Sequence, residues 1–142
     1  MEKTLPPEPI IALGIDRVLK FAAKGDLAAV KDILTAQPAM LNTMSEGHHR
    51  TFVWEAANTN RLDVLKYLVE KGADVNIPGR YRSEMLVLLT PYCIAVKKKR
   101  TKIAAYLWDH GTQIDMYSAA FLGAMETLAR LVKKDRDAVH EI

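Results

Sequence analysis

Apolar positions recur along this chain at helical spacing, and the pattern returns four times in register. Leu27, Val30, Ile33 and Leu34 form one stripe, and Leu62, Leu65, Leu68 and Val69 form another. A turn signal precedes the stripe at Gly25, Asn60 and Gly123. Before each turn lies a short Ala-rich stretch, such as Phe52 to Asn58 or Ser118 to Leu122. Each unit therefore predicts two short helices, the first small enough in side chain for close backbone approach. Gly72 and Gly111 stand where the second helix should stop. Thr90-Pro91 supplies a hydroxyl cap followed by a proline at the first helical position. Thr51, Asp16 and Asp115 can cap the corresponding helices of the other units.

Taking Leu27, Leu62, Thr101 and Met125 as equivalent, the first two intervals fall in the thirties and the third is much shorter. A unit of this kind is amphipathic and cannot bury its apolar face alone. Neighbouring units must stack, so the expected architecture is an all-α solenoid. The division that follows is an N-terminal extension over 1–15 and a repeat domain over 16–142. Its four units are approximately 16–42, 43–76, 77–115 and 116–142.

The stretch Asn60-Arg61-Leu62-Asp63-Val64-Leu65-Lys66-Tyr67-Leu68-Val69-Glu70-Lys71-Gly72-Ala73-Asp74-Val75-Asn76 is similar to the second helix and following loop of the ankyrin repeat. Thr90-Pro91-Tyr92-Cys93-Ile94-Ala95 resembles that family's Thr-Pro-Leu-His-x-Ala signature. The resemblance runs from about Asp16 to the end. It implies an ankyrin-repeat solenoid whose loops project as fingers, and whose first helices and fingers form a concave binding surface. It also implies a non-enzymatic scaffold or adaptor that binds another protein.

The departures from the family pattern carry information. The signature histidine is replaced by Trp54 in the second unit and by Cys93 in the third. That histidine helps tie successive loops together in the family, so the local hydrogen bonding must differ here. The loop from Ile77 to Leu89 is longer than the family's usual spacing. In the fourth unit the finger is almost deleted, since Ile114-Asp115 runs straight into Met116. The segments 36–42 and 134–140 both depart from the Gly-Ala-Asp-Val-Asn loop, as capping units do. An array continuing beyond Ile142, with this chain as the N-terminal targeting segment of a larger protein, explains the same features.

Composition narrows the function class. Of 142 residues 49% are apolar and 26% charged, the balance of an ordinary soluble domain rather than a disordered chain. The longest apolar run, Met85 to Leu89, is far too short to span a membrane, and the N-terminus lacks a secretory pattern. A lone Cys93 excludes an internal disulfide and a multi-cysteine metal cluster, which points to a reducing, cytoplasmic setting. No phosphate loop, nucleophile elbow or metalloprotease motif is present, so binding rather than catalysis is expected, with no cofactor and no metal.

Four groups of residues are candidates for contact. Arg80, Tyr81 and Arg82 sit in the long loop and belong to types that hold interface energy. The run behind them, Met85 to Leu89, either belongs to an enlarged recognition finger or extends the next helix or packs over its neighbours. Trp54 and Tyr92 lie on first helices, where the family places its binding surface. Tyr92 favours an exposed ring, whereas Trp54 suits a core position equally well. His49 and Arg50, beside His48, occupy the first finger, where histidines titrate near neutral pH and can bind metal but lack companion ligands. The basic character of this face favours an acidic protein partner. Lys97 to Lys102, with five cations in six positions, suits either a solvated turn or a nucleic-acid or anionic surface contact. The absence of interleaved aromatics argues against nucleic acid.

Overall fold

The computed structural model describes residues 7–81 and 88–140. Contacts divide the chain into two compact units, one ending at Thr112 and one beginning at Gln113.

The first unit is three helix pairs: α1 (Pro7–Lys24) with α2 (Leu27–Ala36), α3 (Phe52–Asn58) with α4 (Leu62–Glu70), and α5 (Pro91–Lys97) with α6 (Thr101–Asp109). First helices pack on first helices in the order α1, α3, α5, and second helices on second helices in the order α2, α4, α6. This is the all-α solenoid expected from the repeat. Its core is the shared stripe: Val30 and Ile33, Phe52 and Val53, Leu65 and Leu68, Ile94, Ile103 and Leu107 are all fully buried. The backbone of α1 breaks at Gly14 (φ 74°, ψ 156°), two residues before Asp16.

Local chemistry sets the element ends as the sequence requires. The Thr51 hydroxyl accepts the Trp54 N–H, and the Thr90 hydroxyl accepts the Cys93 N–H, both at 3.2 Å. At the end of α4, Gly72 takes φ 90°, which lets its N–H reach the Val69 carbonyl and the Ala73 N–H reach the Leu68 carbonyl, each at 3.0 Å.

The turn inside each pair is one structure built three times. Gly25, Asn60 and Lys99 hold φ of 76°, 63° and 58°. The next N–H then returns to the first helix: Asp26 to Phe21 O at 2.9 Å, Arg61 to Ala56 O and Arg100 to Ala95 O at 2.8 Å. The two arginines also reach back one unit. Arg61 Nε donates to Ala23 O at 3.1 Å and Arg100 Nη2 to Asn58 O at 3.5 Å, at equivalent carbonyls.

The long loop forms a finger. Its strands β1 (Gly79–Arg80) and β2 (Leu88–Leu89) pair antiparallel, with Gly79 opposite Leu89 and Arg80 opposite Leu88. The end of the apolar run is thus strand, not an extension of α5. Leu89 is buried and Leu88 exposed, as alternation on a two-sided strand dictates. Met85 to Val87 lie outside the described residues, as does Arg82.

The second unit carries one helix, α7 (Met116–His140). The Asp115 carboxylate caps it by accepting the Ser118 N–H at 2.6 Å. The turn expected at Gly123 does not form; the helix runs through it and through 134–140. By contrast Pro38–Asn42, in the segment matched to 134–140, is a 3-10 turn. A single glycine costs a helix only about 1 kcal/mol. The flanking Ala, Met, Leu, Glu and Arg residues are strong helix formers, and Glu126 and Arg130 pair at 2.9 Å across one turn.

Candidate functional site

Two fingers stand side by side in the first unit. The first is closed on itself: the Ser45 N–H donates to Arg50 O at 2.9 Å, and the Ser45 hydroxyl accepts the Arg50 N–H at 3.0 Å. His49 turns the corner at φ 53°. The second finger joins the first where the Arg80 N–H donates to His48 O at 2.8 Å.

The Arg50 side chain holds this junction from within. Its Nε donates to Arg80 O at 2.8 Å and its Nη2 to Tyr81 O. Nη1 pairs with Glu55 Oε1 at 3.4 Å, and the guanidinium lies 4.3 Å over the Trp54 ring. Trp54 is 0% exposed, and its Nε1 donates to Leu89 O at 2.9 Å. Gly79 fits because it lacks a side chain: a Cβ there would sit 3.0 Å from Trp54 Cδ1 and Nε1 and 3.2 Å from Arg50 Cγ.

Trp54 and Arg50, expected as contact residues, sit together in an internal clamp. Trp54 is buried with its one donor used, and Arg50 spends three donor groups on the protein itself. The departure at the signature histidine is explained at the same stroke, since the indole N–H ties its own unit to the next loop.

Inside the junction, between α1, α3 and the first finger, is a cleft of about 310 Å³ lined by Asp16, Leu19, Lys20, Ser45, His48, Arg50 and Glu55. Burial pushes the Glu55 carboxyl above its usual range; Arg50 most strongly, then His48 and Lys98, pull it partly back.

Outside the junction the fingers enclose an open hollow of about 520 Å³, lined by Met44, His49, Asn76, Ile77, Pro78, Arg80 and Leu88. Met44 and Leu88 leave 46% and 47% of their surface exposed. Arg80 has no ion pair among the described residues, and its Nε has no hydrogen-bond partner. His49 and Arg80, separate in sequence, are thus brought together. Leu88 lies in the run Met85 to Leu89 that the sequence singled out, whereas Met44 was missed, although an apolar residue in an otherwise polar finger was a legible signal.

The remaining candidates go elsewhere. Tyr81 faces the end of α5, with Lys97 and Lys98 Nζ at 5.5 and 5.2 Å from its ring centroid. Tyr92 is half-buried and meets Trp108 at 5.5 Å between centroids, tilted by 43°; Trp108 is 58% exposed. The basic run 97–102 is not one patch: two of its lysines bracket Tyr81, while Arg100 folds back onto the preceding unit. Cys93 is buried. No helix among the described residues is long and apolar enough to cross a membrane.

A family model described as ankyrin repeats in three copies matches residues 18–118, well over half of the chain and most of the span of its helix pairs. The chain is an ankyrin-repeat protein. Its ankyrin repeats are similar to part of the palmitoyltransferase AKR1 of Naumovozyma castellii, 41% identical over 73 residues that make up 51% of this chain and 10% of that protein. They are also similar to part of the human NAD-capped RNA hydrolase NUDT12, 34% identical over 65 residues, 46% of this chain and 14% of that protein. The matches therefore span only a small part of these relatives. Among solved structures, a chain in the complex of the Bd0816 predatory endopeptidase from Bdellovibrio bacteriovorus with immunity protein Bd3460 superposes with TM-score 0.58 at 26% identity. The match covers 69% of this ankyrin-repeat chain and 47% of that one.

Proposed function

We propose that this ankyrin-repeat chain is a non-enzymatic binding module that works in the cytoplasm and seats another protein on the outer side of its paired fingers. The observation that carries this reading is the hollow between them, where Met44 and Leu88 stay exposed beside Arg80 and His49. Two half-exposed apolar side chains lining one hollow make an apolar surface that a partner can cover. Arg80 at their rim, with no ion pair among the described residues, favours a partner that brings an apolar side chain and a neighbouring carboxylate. The internal clamp supports the reading by holding the fingers before binding, which lowers the ordering cost at the interface. That the structural neighbour comes from a protein–protein complex points the same way.

The test is quantitative capture from the native host, comparing the wild-type chain with Leu88→Asp and Met44→Asp. Both residues are exposed, so the variants should fold, as circular dichroism checks. The expected result is loss of the same set of proteins from both variants and their retention by Lys66→Ala on the far face. Equal recovery by all four chains would remove the hollow as the binding site.

A further inference from the structure

The exposed hollow does not use Tyr81, Lys97 or Lys98. We propose that these three residues form a second contact surface, on the α5 side of the finger, that takes an acidic peptide segment of the partner. The inference rests on the binding reading above and specifies the partner's chemistry at a separate place.

The argument begins with position. Both ammonium groups lie near one ring, at 5.5 and 5.2 Å from its centroid, although they sit at the end of α5 and the ring in a loop before it. Arg50 donates to the Tyr81 carbonyl, so the backbone that carries the ring is anchored before any partner arrives. Neither lysine has an ion pair among the described residues.

Charge supplies the second step. Arg50 and Lys98 both bear on the single Glu55 carboxyl. Lys97, exposed beside them, adds a further positive charge. Among the described residues the charge is therefore positive where Lys97 meets solvent. A segment carrying Asp or Glu complements it, with side-chain methylenes resting on the Tyr81 ring edge and carboxylates reaching the two ammonium groups.

An acidic peptide suits this surface better than nucleic acid does. Single-stranded nucleic acid needs open ring faces for base stacking and a cationic track along the backbone. Here the lysines crowd the ring, Arg100 is turned onto Asn58 O, and Glu55 lies close by.

The experiment uses the whole chain and three fluorescein-labelled probes: a short peptide of Asp, Glu and Phe, its Asn/Gln counterpart, and a single-stranded DNA oligonucleotide. Binding is followed by fluorescence anisotropy at low and at physiological salt. The acidic peptide should bind and its amide counterpart should not. The double variant Lys97→Ala/Lys98→Ala should weaken binding about tenfold, and Tyr81→Ala should weaken it as well. The variant Lys31→Ala/Lys66→Ala removes equal charge from the opposite face and should change binding less than about twofold. Equal weakening by both double variants would reduce the effect to net charge and overturn the proposal. So would absence of peptide binding, or tighter binding of DNA with the same sensitivity at Lys97 and Lys98. Leu88→Asp separates the two readings: it should lose the captured partner while keeping the acidic peptide.

Discussion

The finger junction and the outer-helix face solve the same problem, joining one unit to the next, with different chemistry. At the junction a buried indole donates to Leu89 O, and a guanidinium on top of it donates to two more carbonyls. On the outer face a lysine of one unit lies over a tyrosine of the next: Lys31 over Tyr67 at 5.5 Å, and Lys66 over Tyr106 at 6.0 Å. Those positions are equivalent from unit to unit, so the face carries a ladder. Both regions are regular and both cross unit boundaries. They differ in water. A buried donor that loses its acceptor has no substitute, whereas an exposed ammonium is solvated in either state. The stack should therefore be fragile at Trp54 and tolerant along the ladder.

The largest expected effect comes from Trp54. Replacing it with Ala should cost about 3–5 kcal/mol, because it removes a fully buried ring as well as the tie. Trp54→Phe isolates the hydrogen bond: most of the volume stays, but Leu89 O is stranded, for roughly 1–3 kcal/mol. Urea denaturation reads both. A Phe variant as stable as wild type would mean that the indole N–H is not the link between units.

Arg50→Gln comes next, at roughly 2–4 kcal/mol, since it strands two carbonyls and leaves Glu55 without its ion partner. Glu55 itself gives the region a signature in pH. Its folded-state carboxyl titrates above the usual 4.5, with burial as the largest cause. In the window just above that value the folded protein keeps a proton that the unfolded chain releases. Stability should therefore fall as pH rises through the window, and Glu55→Gln should flatten that slope. A wild-type profile that climbs there instead would show that Arg50 outweighs burial.

How far these contacts were visible beforehand depends on their range. Helices, caps and stops were legible because each is decided within a few residues: Thr51 and Thr90 cap, Gly72 stops, and Leu65 and Leu68 face inward. The single helix through Gly123 was not, because the repeat register argued for a turn while local propensity favoured continuation. The candidate site was legible only in outline. Arg80 and Tyr81 were singled out from one loop, yet alternation along the finger sends them to different surroundings. Arg50 was read as a contact residue because nothing local shows that carbonyls thirty positions away will surround it. Trp54 left two readings open, and the Leu89 carbonyl that its indole meets lies too far along the chain to be seen from its neighbours.

Lys99 tests the regularity that both regions depend on. Its two counterparts in the turn series are glycine and asparagine, which tolerate φ near 60°; lysine at 58° is strained. Lys99→Gly should stabilise the chain by about 1 kcal/mol, less the chain entropy that glycine adds to the unfolded state. Thermal denaturation would show a rise of a few degrees. A fall would mean that the lysine side chain makes a contact outweighing the strain.

The smallest effect belongs to the ladder, where a single substitution says little and a cycle says more. Lys31→Ala and Tyr67→Leu each change burial and solvation as well as the contact between them. Their coupling isolates the cation–π term, expected at about 0.5–1 kcal/mol for an exposed pair. Tyr67 also has Lys71 Nζ at 5.7 Å, so removing Lys31 leaves the ring with one ammonium and lowers the loss further. Repeating the cycle at Lys66 and Tyr106 should give a smaller coupling still. The ammonium is farther there, at 6.0 Å, and His110 already stacks on that ring at 3.9 Å. Couplings as large as the Trp54→Phe loss would abolish the contrast, because the outer face would then bind the units as firmly as the buried clamp.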